Sequence, residues 1–144
     1  MDELAPEVEA LRKVRFFEDL TPEDLDRMAR IGERRRFEPG EALFTKGEEG
    51  KALFVIMDGT AEVEVGGRTH ELGPGSFIGE MALVSGTRRS ATVTAKDPVE
   101  AMLIQATYFK PFLIKNPSVA VAVLEGVIER LREVQDRIDA WMGS

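Results

Sequence analysis

The chain of 144 residues has no cysteine, one histidine, one tyrosine and one tryptophan. Without thiols it can build neither a disulfide nor a thiolate zinc site, and it is compatible with a reducing cytoplasm. A lone His70 cannot supply a metal centre that needs several imidazoles and a carboxylate. It also leaves Ser76, Ser85 and Ser90 without a histidine–acid relay, so no catalytic residue and no metal ligand set is expected. Long apolar runs are missing too: the longest aliphatic stretch, "VAVAVL" at 119–124, is far too short to cross a bilayer, and no membrane partner is expected. The opening "MDELAPEVEALRK" is acidic where a secretory signal is basic and then apolar, which predicts a cytoplasmic location. A basic field is lacking as well. The formal charge of −7 argues against direct binding of nucleic acid, which depends on cations displacing counterions. The one basic cluster, Arg34-Arg35-Arg36, stands among acidic neighbours and reads as the solvated face of a strand.

What the chain does have is glycine in a particular place. Ten of its 13 glycines fall between Gly40 and Gly86, where they punctuate short β-branched and aromatic runs, the rhythm of short strands and tight turns. Strands are predicted near "RRRF", "ALFT", "ALFVIMD", "TAEVEV", "THEL", "SATVTA" and "EAMLIQ". In "TAEVEV", Ala61, Val63 and Val65 alternate with Glu62 and Glu64, as on a strand with one face in the core. Many short strands at this spacing point to a closed antiparallel roll rather than a parallel sheet. Both ends are helical in character. Thr21-Pro22-Glu23-Asp24 offers an N-cap, a proline at the first helical position and acids in the first turn, ahead of Leu25, Met28 and Ala29. Tyr108-Phe109 and Phe112-Leu113 predict a short helix packed on the roll. Asn116-Pro117-Ser118 then opens a long helix whose Leu124, Val127, Leu131, Val134, Ile138 and Trp141 recur every three or four residues, a stripe expected to be buried on the roll, at the ligand or in a dimer.

The stretch "GEMALVSGTRRSATV" at 79–93 puts charge inside an apolar segment, where an unpaired charge is costly. Gly79 permits a close backbone approach, and free N–H groups beside it suit an anion. Arg89 carries a planar fork of donors matched to two phosphate oxygens. Glu80 repels the same anion, so it fits a ligand that also presents hydroxyl donors, such as a ribose. An internal Glu80–Arg89 ion pair is the plainer alternative.

"FIGEMALVSGTRRSATVTA" resembles the phosphate-binding cassette of the cyclic nucleotide-binding domain family, of the catabolite-activator and protein kinase A regulatory-subunit type. "RRRFEPGEALFTKGEEGKALFVIMDGTAEVEV" is similar to that family's first strands, and the flanking helices fit it also. Two departures stand out: Ile78 separates Phe77 from Gly79, and Arg88 occupies the usual position of a proline. The resemblance implies a mainly β fold with flanking helices, an eight-stranded antiparallel β-roll (jelly roll) with N-terminal helices and a C-terminal helical lid. It implies one domain over 1–144, with helices in 1–32, the roll in 33–105 including the cassette at 77–93, and helices in 106–144. It implies ligand binding by Ile78, Gly79, Glu80, Met81, Ala82, Arg89, Ser90 and Ala91, with Glu80 on the ribose 2′-OH and Arg89 on the cyclic phosphate. The implied ligand is cyclic AMP more than cyclic GMP, the implied role is regulatory rather than enzymatic, and the partner is an effector protein of unknown kind. Two other readings are a ligand-free interaction scaffold and a fragment or partner of a catabolite-activator-type transcription regulator.

Overall fold

The computed structural model describes residues 5–79 and 86–143, without the side chains of Val134, Arg137 and Trp141. Its elements run α1 (Ala5–Arg12), a 3₁₀ helix (Arg15–Phe17), α2 (Pro22–Arg30), β1 (Gly32–Phe37), β2 (Ala42–Phe44), β3 (Ala52–Asp58), β4 (Ala61–Val65), β5 (Arg68–Leu72), β6 (Phe77–Ile78), β7 (Val93–Ala95), β8 (Val99–Gln105), α3 (Ala106–Lys115) and α4 (Pro117–Gly143). The described strands form two antiparallel sheets, ordered β1-β8-β3-β6 and β2-β7-β4-β5. This is the expected jelly roll.

The continuous apolar runs of β3 and β8 follow from burial on both faces. Leu53 and Val55 with Met102 and Ile104 face a cluster under the helices, while Phe54 and Ile56 with Ala101 and Leu103 face the space between the sheets. Strand periodicity sorts alternate residues into two different cores. β1 is an edge strand, and its arginines lie on it as expected for a solvated face. Arg34 is nevertheless tied inward to the buried carboxylate of Glu7 at 2.6 Å, while Arg36 pairs with Glu38 at 2.9 Å. At the β4–β5 hairpin, Gly66 and Gly67 take φ values of +60° and +78°, the two-residue turn that matches strand twist. Ala61 is buried and Val63 half-buried, but Val65, expected on the core face, is exposed because the hairpin tip leaves the second sheet. His70 is exposed on β5 opposite Val63.

α2 begins as predicted. The Thr21 side chain accepts from the Asp24 amide at 3.1 Å and Asp24 accepts from the Thr21 amide at 3.4 Å, closing a capping box. Leu25, Met28 and Ala29 are buried. "SATVTA" supplies a strand only from Val93, because Ser90 to Thr92 depart from regular pairing where the β2–β7 register shifts. In α3, Phe109 and Phe112 are buried and Tyr108 is exposed.

α4 corrects one expectation, that the stripe through Leu131 packs on the roll. Its buried residues are Val119, Ala122 and Val123, whereas Leu124, Leu131 and Ile138 of the expected buried stripe are 58%, 55% and 46% exposed. Val127 of the stripe is half-buried against the core, and because the first turns are apolar all round, periodicity alone could not choose the face that the roll covers. α4 docks instead on the 3₁₀ helix: Gly126 lies against the Phe16 ring, and Arg15 pairs with Glu129 at 2.5 Å. Phe16, Phe17 and Phe77 stack edge-to-face with centroids 4.9–5.4 Å apart at this junction.

Candidate functional site

Beyond the end of β6 the chain turns at Gly79, whose φ is +90°. Glycine is required there twice over. A side chain strains that conformation, and a Cβ would stand 2.5 Å from Arg89 Nη1 and 3.2 Å from the Ala52 carbonyl oxygen. The returning segment is strapped to the loop after β2: the Arg89 amide donates to Glu48 O at 2.8 Å, and Arg89 O accepts from the Gly47 amide at 2.9 Å. That extended pairing sends neighbouring side chains to opposite sides. Arg88 is exposed and donates to Gly47 O at 3.0 Å, while Arg89 points inward and is 6% exposed.

Among the described residues, Arg89 is a buried cation held by neutral groups. Its Nη1 donates to Gly79 O at 3.0 Å, its Nη2 donates to Ala52 O, and the guanidinium lies 4.1 Å over the Phe44 ring. Its Nε is buried without a hydrogen-bond partner. Among the described residues no carboxylate forms an ion pair with it; burial pulls its pKa below the ordinary arginine value, and the field of Glu48 opposes this only in part. A planar donor fork whose Nε is unused and which has no carboxylate partner among the described residues is suited to receive an anion.

The other expected site residues are distributed unevenly. Gly79 and Arg89 are brought into contact. Ile78 is half-buried and borders a cleft of about 260 Å³ between the 3₁₀ helix and α4. Ser90 and Ala91 border a separate depression of about 460 Å³ with Lys46, Glu64 and Thr92. Glu80, Met81 and Ala82 lie outside the described residues, as does any Glu80–Arg89 pair. Sequence reasoning missed Phe44, Ala52 and Glu48. Nothing local marks them, since their role comes from two strands and a loop, 37 to 45 positions away in the chain, closing around Arg89.

The same turn is held from the other side by α4. Arg130 Nη2 donates to Phe77 O at 2.7 Å, and burial pulls the Arg130 pKa below its ordinary value against the field of Glu133. Phe77 to Gly79 is therefore gripped at two carbonyls, one by the helix and one by the buried Arg89.

The family model for the cyclic nucleotide-binding domain matches residues 34–116, more than half of the sequence, and that match includes β6, Gly79 and Arg89. The chain belongs to the cyclic nucleotide-binding domain family. A cyclic nucleotide-gated potassium channel of Rhizobium etli is 34% identical to this cyclic nucleotide-binding domain over 81% of the chain and 33% of the channel. A cyclic AMP receptor protein of Thermus thermophilus is 29% identical over 86% of the chain and 60% of that protein. The crystal structure of the Thermus thermophilus catabolite activator protein superposes with a TM-score of 0.78 at 28% identity, covering 86% of this chain and 61% of that one. This cyclic nucleotide-binding domain thus spans less than two thirds of each of these relatives. Among its described residues no single helix is long and apolar enough to cross a membrane.

Proposed function

We propose that this cyclic nucleotide-binding domain takes cyclic AMP in preference to cyclic GMP, and converts occupancy into a movement of its C-terminal helices without chemistry on the ligand. The observation that carries the reading is Arg89, a buried guanidinium whose Nε is unpartnered and whose acceptors are carbonyl oxygens among the described residues. A phosphate is a stronger acceptor than either carbonyl, because both partners are then charged. Capture of the cyclic phosphate draws Arg89 away from Gly79 O and frees the turn. Gly79, Ser90 and Ala91 frame the phosphate, Glu80 accepts from the ribose 2′-OH, and Ile78, Met81 and Ala82 complete the cradle. The name of the Thermus thermophilus receptor supports cyclic AMP as the ligand.

Coupling runs through the two grips on one short segment. Phe77 and Gly79 are two residues apart, and a displaced Gly79 alters the carbonyl that Arg130 of α4 holds. Both grips engage the ends of the Phe77–Gly79 turn, so a ligand that favours one arrangement of that turn shifts the population of α4 positions. The whole chain acts as one such module, and its location is cytoplasmic.

Isothermal titration tests the reading. Wild type is expected to bind cyclic AMP more tightly than cyclic GMP or 2′-deoxy cyclic AMP, with Arg88→Ala close to wild type and Arg89→Ala much weaker. No heat at high micromolar cyclic AMP, or equal losses in the two arginine variants, overturns it.

A further inference from the structure

A buried arginine is ordinarily balanced by a carboxylate, and at an anion site a carboxylate is the wrong partner: it neutralises the guanidinium and occupies the N–H edge that a phosphate needs. Among the described residues Arg89 is balanced differently. The half-buried Phe44 ring lies under its guanidinium, 4.1 Å from Cζ to the ring centroid, and the Phe54 ring stands at 6.0 Å. An aromatic face attracts a cation through its quadrupole and touches only the flat side of a guanidinium. The N–H groups lie in the plane, so the ring holds the charge without taking a donor.

The ring is itself fixed in place. Phe44 ends β2 and pairs with Val93 of β7, where the register between these strands shifts. Just beyond it, the Lys46 amide donates to Thr92 Oγ1 at 2.9 Å and the Gly47 amide donates to Arg89 O at 2.9 Å. The segment that carries the ring and the segment that carries the guanidinium are thus joined at three points around the contact. Behind Phe44 the buried Phe54 ring packs with centroids 5.7 Å apart, and the buried Phe37 ring follows at 6.1 Å. A row of three aromatic rings therefore backs one arginine from the core between the sheets.

We propose that Phe44 is a positioning residue for the anion: its ring holds the Arg89 guanidinium inward, with the N–H edge left open to the phosphate. This role rests on the cyclic nucleotide reading and adds to it a residue on β2, far from the cassette in sequence. Without the ring, solvent becomes the better place for a desolvated cation, and Arg89 swings outward. Apparent affinity then falls in proportion to the fraction of molecules that keep the arginine in place. A cation–π attraction between exposed and desolvated strength corresponds to about 2- to 30-fold in that fraction.

The test titrates cyclic AMP into the full chain with position 44 varied. Phe44→Leu keeps an apolar side chain without a π face and should weaken binding by at least about threefold. Phe44→Tyr keeps the face and should bind within about twofold of wild type. A trifluorinated phenylalanine introduced at position 44 alone keeps the shape of the ring but removes most of its quadrupole, so it should lose affinity as Phe44→Leu does. A ring that only fills space does not respond to fluorination. Urea unfolding supplies a reading without ligand: fluorination should lower the folding equilibrium constant by at least about threefold beside Arg89 and leave it nearly unchanged beside Arg89→Met. Wild type that takes no cyclic AMP overturns the ligand reading, and the positioning role with it. Wild type that binds, with Phe44→Leu or the fluorinated ring losing less than about threefold, overturns the positioning role alone. So does an equal effect of fluorination on folding in the two backgrounds.

Discussion

Replacing Arg89 by methionine separates a residue kept for the fold from one kept for a ligand. The substitution preserves the apolar stem and removes the guanidinium. Three stabilising contacts go with it. The hydrogen bonds to Gly79 O and Ala52 O contribute about 0.5–1.5 kcal/mol each. The approach of 4.1 Å to the Phe44 ring contributes about 0.5–2 kcal/mol. Against these stand the costs the native state carries: the buried, unpartnered Nε at about 1–3 kcal/mol, and the desolvation of a cation that has no carboxylate partner among the described residues, several kcal/mol before relaxation. The two sums are of similar size, so Arg89→Met should change stability by less than about 1.5 kcal/mol in either direction. Cyclic nucleotide affinity should fall by about 2–4 kcal/mol, roughly 30- to 1000-fold, because the lost contact is a charge-assisted one in a low-dielectric site. Urea unfolding followed by circular dichroism, with an unchanged m value, reads the first quantity, and isothermal titration the second. A loss of more than about 3 kcal/mol of stability with affinity within threefold of wild type refutes the reasoning and makes Arg89 a structural residue.

Gly79→Ala should lower stability by about 1–2 kcal/mol from the positive φ alone and also weaken nucleotide binding, since its Cβ meets Arg89 Nη1; thermal melts and titration check this, and wild-type values in both refute it. Gly126→Ala gains about 1 kcal/mol of helix propensity but drives a Cβ to 2.5 Å from the Phe16 ring, an overpacking cost of about 1–3 kcal/mol, so the melting temperature should fall rather than rise. Burial works against the Asp24 carboxylate, but hydrogen bonds from Arg27 and Thr21 outweigh it and hold its pKa below the ordinary 3.8. The folded value being the lower, its stabilisation is complete above 3.8 and disappears as pH drops through the folded value. Asp24→Asn should therefore melt below wild type at neutral pH and converge with it near pH 2, and a gap that persists in acid refutes the assignment.

Local chemistry determined much of this protein before any folding was considered. Thr21-Pro22-Glu23-Asp24 starts a helix because cap, proline and acids act within one turn. "ALFVIMD" is a strand over Ala52–Asp58 because its residues are apolar on both faces, and Gly66-Gly67 is a hairpin because its turn needs two positive φ values. Gly79 and Arg89 were legible as a pair from residue type and from the resemblance of the cassette. Other features exist only in three dimensions. β6 has two residues, too short for any periodicity, and is a strand only because β3 offers it an edge. The inward turn of Arg89 over Arg88 comes from the pairing with Gly47 and Glu48, and the Phe44 ring and Ala52 carbonyl reach it from strands distant in sequence. The face on which α4 docks was likewise undecided, since Val119 to Leu124 are apolar all round and a helical period cannot choose between two apolar faces. Phe16, Gly126 and the Phe77 carbonyl made that choice, because only there do a small residue, an aromatic ring and a buried donor fit together at once.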